Sequence, residues 1–240
     1  MAIEDGGVVE TATKTIPILL QTVDLVMYPE GGELVAGLPN RVYLEAKTPA
    51  KKPADIAGAV VDRRGNVVAN FRTEHEGRGR FTFVPKADEK YKLEIDEPAF
   101  VYDVRAGRPV GAERIAAWEV ALSRGRPQLF ALLPYRVTAL DAEAPEEARL
   151  GEAVPLHVAV SVEPGKAAYH VVHVDVFAPG SEKPHRQYSQ NIDCPGGEGQ
   201  ATIPLALNDP EGLWRLEFKD AATGARTVRE VRVSGRPAGA

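Results

Sequence analysis

The chain has 240 residues, 44% of them hydrophobic and 26% charged, with a formal net charge of -5. That apolar share supports packed cores and excludes a wholly disordered chain, while 22 glycines and 19 prolines without a period exclude a collagen-like one. Scattered basic residues on an acidic chain give no footprint for nucleic acid, and no apolar run approaches the roughly 20 residues of a membrane helix, so a soluble protein of one large or two modest domains is predicted.

Period-two alternation recurs along the whole sequence and predicts strands. Val23, Leu25 and Met27 alternate with Asp24 and Val26, and Val42 and Leu44 alternate with Arg41, Tyr43 and Glu45. The runs 56–61 and 67–71 flank Asp62-Arg63-Arg64-Gly65-Asn66, a hairpin in which Gly65 is placed to take positive φ. Phe81 and Phe83, then Tyr91, Leu93 and Ile95, read as a third pair. Residues 112–122 set Ile115, Trp118 and Leu122 at i, i+3 and i+7, the spacing of a short amphipathic helix. Equally, 118–122 and 128–133 can pair as a hairpin about Arg124-Gly125, and this is the favoured reading. Beyond it, Leu156, Val158, Val160 and Val162 mark one strand, and Val172, Val174 and Val176 another. Residues 188–192, 201–207, the Trp214, Leu216, Phe218 series and 228–233 complete a second set, and the tail 235–240 is expected to fray. Strands at this spacing, with turn chemistry between them, predict two-sheet sandwiches rather than an α/β sheet.

The stretch Val23-Asp24-Leu25-Val26-Met27-Tyr28-Pro29-Glu30-Gly31-Gly32-Glu33-Leu34-Val35-Ala36-Gly37-Leu38 resembles the opening of a macroglobulin domain in bacterial proteins of the alpha-2-macroglobulin type. The resemblance runs on through Asn40-Arg41-Val42-Tyr43-Leu44-Glu45-Ala46, the Gly65 turn and the Gly77-Arg78-Gly79-Arg80-Phe81 strand entry, and covers about 15–98. The second half, about 135–234, is similar to a related immunoglobulin-like accessory sandwich. Its carrying residues are His170-Val171-Val172-His173-Val174-Asp175-Val176-Phe177 and Leu205-Ala206-Leu207-Asn208-Asp209-Pro210-Glu211-Gly212-Leu213-Trp214. Together these imply an all-β chain of two tandem immunoglobulin-like/macroglobulin-like antiparallel β-sandwiches, at 15–98 and 135–234, with a connector at 99–134. In full-length macroglobulin-type proteins the chemistry sits in a Cys-Gly-Glu-Gln thioester and a bait region. Cys194-Pro195-Gly196-Gly197-Glu198 has Pro after the cysteine and no Gln where ring closure needs it, so covalent trapping does not carry over.

Candidate sites are few. One cysteine, Cys194, excludes an intramolecular disulfide and a Cys-rich metal site. On a strand, His170 and His173 point to opposite faces, so with His157 and His185 only nearby in sequence no metal site is expected, and no cofactor. Glu30, Asp175 and Asp209 form no recognisable acid pair, and Ser123 and Ser189 sit in no nucleophile elbow. Trp214 is read as core, whereas Tyr188, amid Gln187, Ser189, Gln190 and Asn191, and Trp118 are the binding candidates.

The expectation is a non-catalytic structural or interaction segment of a larger extracytoplasmic bacterial protein, contacting a protein partner or the rest of its own polypeptide. The first residues, Met1-Ala2-Ile3-Glu4-Asp5, do not read as a signal peptide. The alternative is a carbohydrate-binding accessory module, and exposed aromatics in a sheet-face groove would mark it.

Overall fold

The structure is a computed structural model that describes residues 23–120 and 127–235, together with the backbone of β1 (Ala2–Asp5) and β2 (Val8–Thr11), which pair antiparallel. The chain is all-β. Apart from two short 3-10 turns, Glu30–Gly32 and Pro195–Gly197, the regular structure of the described residues is strand.

The first unit contains β3 (Val23–Pro29), β4 (Asn40–Lys47), β5 (Ala57–Val61), β6 (Val67–His75), β7 (Arg78–Phe83), β8 (Lys92–Asp103), β9 (Arg108–Pro109), β10 (Ile115–Glu119) and β11 (Gln128–Leu133). Pairing runs β8-β11-β3-β4-β7-β6-β5 and returns from β5 to β8, so these seven strands close on themselves. Two strands make the closure. β6 pairs β5 through Val67–Arg72 and β7 through Thr73 and His75. β8 pairs β5 from Lys92 to Ile95 and β11 from Phe100 to Asp103. The inward faces follow the sequence alternation: Val23, Leu25, Met27, Val42, Leu44, Phe81 and Phe83 are buried in one core with Leu93, Ile95, Trp118 and Phe130. The hairpin at 62–66 forms as expected, with Gly65 at φ 82 and Asp62 Oδ1 accepting from the backbone N–H groups of Arg64 and Asn66.

Several expectations change here. The third pair does not form: β7 lies between β4 and β6, and 84–91 carries the chain across to β8. The connector 99–134 is part of the first unit, because β8 runs unbroken through position 98 and β11 is a ring strand between β3 and β8. Ile115 and Trp118 lie on a strand, not a helix. A register shift between Ile115 and Ala117 brings both residues to the inner side, so a bulge imitates the helical i, i+3 spacing. Nor do β10 and β11 form the favoured hairpin, since β10 pairs β8 and β11 pairs β3 and β8; its Arg124-Gly125 turn, like residues 15–22 and 236–240, lies outside the described residues.

The second unit contains β12 (Arg136–Glu143), β13 (Glu147–Arg149), β14 (Ala153–Glu163), β15 (His170–Phe177), β16 (Gln190–Cys194), β17 (Glu198–Pro204), β18 (Gly212–Asp220) and β19 (Arg226–Ser234). One sheet is β12-β14-β17, the other β13-β19-β18-β15-β16, and their inward residues form one core around Trp214, Leu216, Phe218, Val158, Val174 and Ile192. β12 and β13 escaped the sequence reading for local reasons. A register shift between Val137 and Ala139 breaks the alternation of β12, and β13 has three residues with only Ala148 turned inward.

Candidate functional site at the junction of the two units

Only Pro134 and Tyr135 separate β11 from β12, and the chain crosses between the units inside a packed cluster rather than through a tether. Alternation on β8 and β11 turns Phe100, Tyr102, Ala131 and Leu133 away from the first core. With Tyr135 they make a separate apolar cluster, against which Val137, Val162, Ala168 and Ala222 of the second unit pack. Fully burying a side chain of the Leu or Phe size contributes about 1.5–3 kcal/mol, so even a few such groups resist separation of the units. The Tyr102 hydroxyl accepts from the Val137 N–H at 3.2 Å, and Arg136 lies over the Phe100 ring at 5.6 Å from its centroid.

Beneath this cluster runs a buried polar chain. The Tyr135 hydroxyl accepts from the Ala168 N–H at 2.8 Å and lies 3.1 Å from His170 Nε2. His170 Nδ1 lies 2.9 Å from Asp220 Oδ1, while Asp220 Oδ2 accepts from the Thr223 N–H at 2.9 Å and from its hydroxyl at 2.5 Å. One proton assignment satisfies every partner: the phenol donates to Nε2, and Nδ1–H donates to Asp220. The side chains of His170 and Asp220 are 0% exposed. A Tyr-His-Asp order has the connectivity of a nucleophile, base and orienting acid, but its members are sealed from solvent and no substrate reaches them. Their work is positional: Asp220 holds the 220–225 turn and His170 fixes Tyr135.

A second contact completes the junction. Gly224, at φ +80, lies against the β8–β9 turn so closely that a Cβ would collide with the carbonyl oxygen of Gly107. Across the same region Asp24 has its carboxyl pKa raised, chiefly by burial, with Lys51 opposing and Asp220 adding to the rise. Burial also raises the pKa of the Tyr102 phenol.

The residues singled out from sequence lie elsewhere. Tyr188 is not an exposed platform: it is buried, stacked on His185 with ring centroids 4.3 Å apart, and its hydroxyl donates to Asp209 Oδ2 at 2.6 Å. Asp209 also accepts from the Ala206 N–H, so both residues tie the 206–210 turn. Trp118 is 3% exposed, packed edge-on against Phe130 in the first core and away from the junction. Trp214 is core, as expected. His170 faces inward and His173 outward, where His173 lies 2.7 Å from Asn191 Oδ1 and 3.3 Å from Asp175 Oδ1. Glu30 binds Arg41 and Tyr43 on the outer face of the first unit, the Ser189 hydroxyl accepts from the Val176 N–H, and Ser123 lies outside the described residues. Cys194 is buried, its thiol pushed up to about 11 by desolvation.

Sequence reasoning missed Tyr135 and Asp220. A signal for the third member was present, because His170 falls in phase with Val172, Val174 and Val176 on the buried face of β15, where a polar side chain needs a partner.

No known family model matches the chain, and no curated protein matches it. Among solved structures, a superoxide reductase (neelaredoxin) from Ignicoccus hospitalis is similar over 41% of this chain and 82% of its own, at 16% identity and a TM-score of 0.28. A chimeric titin tandem carrying a GRGDS peptide from fibronectin is similar over 84% of this chain and 92% of its own, at 12% identity and 0.26. A tandem of titin immunoglobulin domains is similar over 89% and 99%, at 11% identity and 0.26. At such scores no residue of these proteins is matched to one here, and none of their sites transfers.

Proposed function

We propose that the chain is a rigid spacer: two β modules in tandem, a closed seven-stranded one that is macroglobulin-like and then a two-sheet immunoglobulin-like sandwich, in place of the two sandwiches expected from sequence, forming a non-catalytic structural or interaction segment of a larger extracytoplasmic bacterial protein. Its mechanism is geometric. Two modules held at a set angle present their outer faces and loops to a protein partner, or to the rest of the same polypeptide, with little orientational entropy left to lose on contact. The observation that supports this reading is the two-residue connection sunk in a packed and hydrogen-bonded junction.

The test is rotational diffusion of the full chain by amide relaxation. Amides of both units are expected to share one anisotropic tumbling tensor, and Gly224→Ala is expected to decouple them by forcing the 104–107 and 220–224 turns apart. Two independent correlation times in the unaltered chain would end the spacer reading.

A further inference from the structure

The outer face of the three-stranded sheet in the second unit carries an open groove of about 560 Å³. It lies where β12 ends while β14 and β17 continue. Glu143, His157 and Gln200 stand directly opposite one another across the three strands, and Pro155 and Thr202 form the next row, with Pro145 on the wall. Neighbours in such a row have Cβ atoms roughly 4.5–5.5 Å apart, so the row of three polar side chains spans roughly 10 Å across the sheet. Among the described residues, the side chains of Glu143, His157 and Gln200 engage no hydrogen-bond or ion-pair partner.

The lining chooses among ligand classes. Past Glu143 the edge of β14 has no neighbour strand on the β12 side, but Pro155 removes a donor there, so a peptide adding as a strand loses the ladder that would hold it. Asp141 and Glu198 flank the groove through Ala159, and with Glu143 they set a negative field that repels anions. A lipid or other apolar ligand would strand three polar heads. The uncharged amide of Gln200 and the proline rings suit a ligand of many hydroxyls, each both donor and acceptor; a cation, which the same field attracts, is set against it in the test below. Gln200 supplies a donor and an acceptor, Glu143 an acceptor, and His157 a ring nitrogen of either kind; among the described residues no Phe, Tyr or Trp lines the groove, so the aromatic platform expected of a sugar site is absent and the proline rings take its place as apolar surface for a C–H face.

We propose that this groove binds a neutral sugar unit of a glycan. The inference does not depend on the spacer reading. It is tested by following the backbone amides of the full chain while adding, separately, chitotriose, maltotriose, cellotriose, trigalacturonate and trilysine. The expected result is a saturable displacement at His157 and Gln200 by a neutral trisaccharide, at about millimolar affinity for so open a site. That affinity is expected to fall about tenfold in Gln200→Ala, which loses the amide but, being exposed, keeps the unfolding midpoint. The proposal is overturned if none of the neutral sugars moves these amides, if Gln200→Ala binds as tightly as the unaltered chain, or if trigalacturonate or trilysine binds more tightly.

Discussion

Replacing Tyr135 with Phe removes one oxygen from the junction and leaves the ring's packing in place. Among the groups that lose the phenol are His170 Nε2, in a side chain with no exposure, and the Ala168 N–H, in a part-buried setting. A buried polar group left without a partner costs about 1–3 kcal/mol. The middle of that range applies to the sealed imidazole and the low end to Ala168, where water can approach, giving a loss of about 3 kcal/mol. For a chain of this size that is a fall of about 6–12 °C in the midpoint of thermal unfolding. Urea unfolding followed by circular dichroism measures it directly, with an unchanged m-value showing that the same surface is exposed. Tyr28→Phe is the control, because the Tyr28 ring is 46% exposed on the outer face and its loss of a hydroxyl is expected to be silent. A Tyr135→Phe loss below about 0.5 kcal/mol, no larger than that of an ordinary surface change, would refute the claim that this hydroxyl joins the polar chain.

Two further outcomes follow from the same physics. Asp24 has a carboxyl pKa raised in the folded chain, mainly by burial, so the native state holds its proton more tightly than the unfolded one. Its contribution is therefore intact at pH below the ordinary carboxylate value and declines as pH rises through the folded value, leaving a penalty at neutral pH. Asp24→Asn is expected to stabilise at pH 7 and to do little in acid, and denaturant titrations showing the same gain at both would contradict this. Cys194, with no exposure, a thiol pKa of about 11 and its S–H directed to the Ile192 carbonyl, is expected to ignore an aromatic disulfide reagent at pH 8 until urea unfolds the second unit. Labelling of the native chain at the rate of a free thiol would show that the β16 edge opens.

The strand content was legible because it rests on a local rule. Wherever one face of a strand meets a core and the other meets water, apolar residues recur at every second position, and Val23, Leu25, Met27 or Val172, Val174, Val176 announce themselves without any neighbour being known. Where a bulge adds a residue, the rule misleads: Ile115 and Trp118 read as helix, and Val137 and Leu140 hid β12. The candidate aromatics failed for a related reason. Tyr188 sits amid polar residues in sequence, but the fold brings Asp209 and His185 to it and buries it.

Sequence by itself determined that this is an all-β chain with apolar alternation enough for two cores, a lone cysteine, and a histidine in phase with a buried valine face. Only tertiary structure decided that β6 and β8 close the first unit on itself, that the supposed connector belongs to it, and that Tyr135, His170 and Asp220 meet. Those three residues lie 35 and 50 positions apart along the chain. Such contacts depend on which strand lies beside which and on where each turn ends. Alternation says which way a side chain points, not what it will find there.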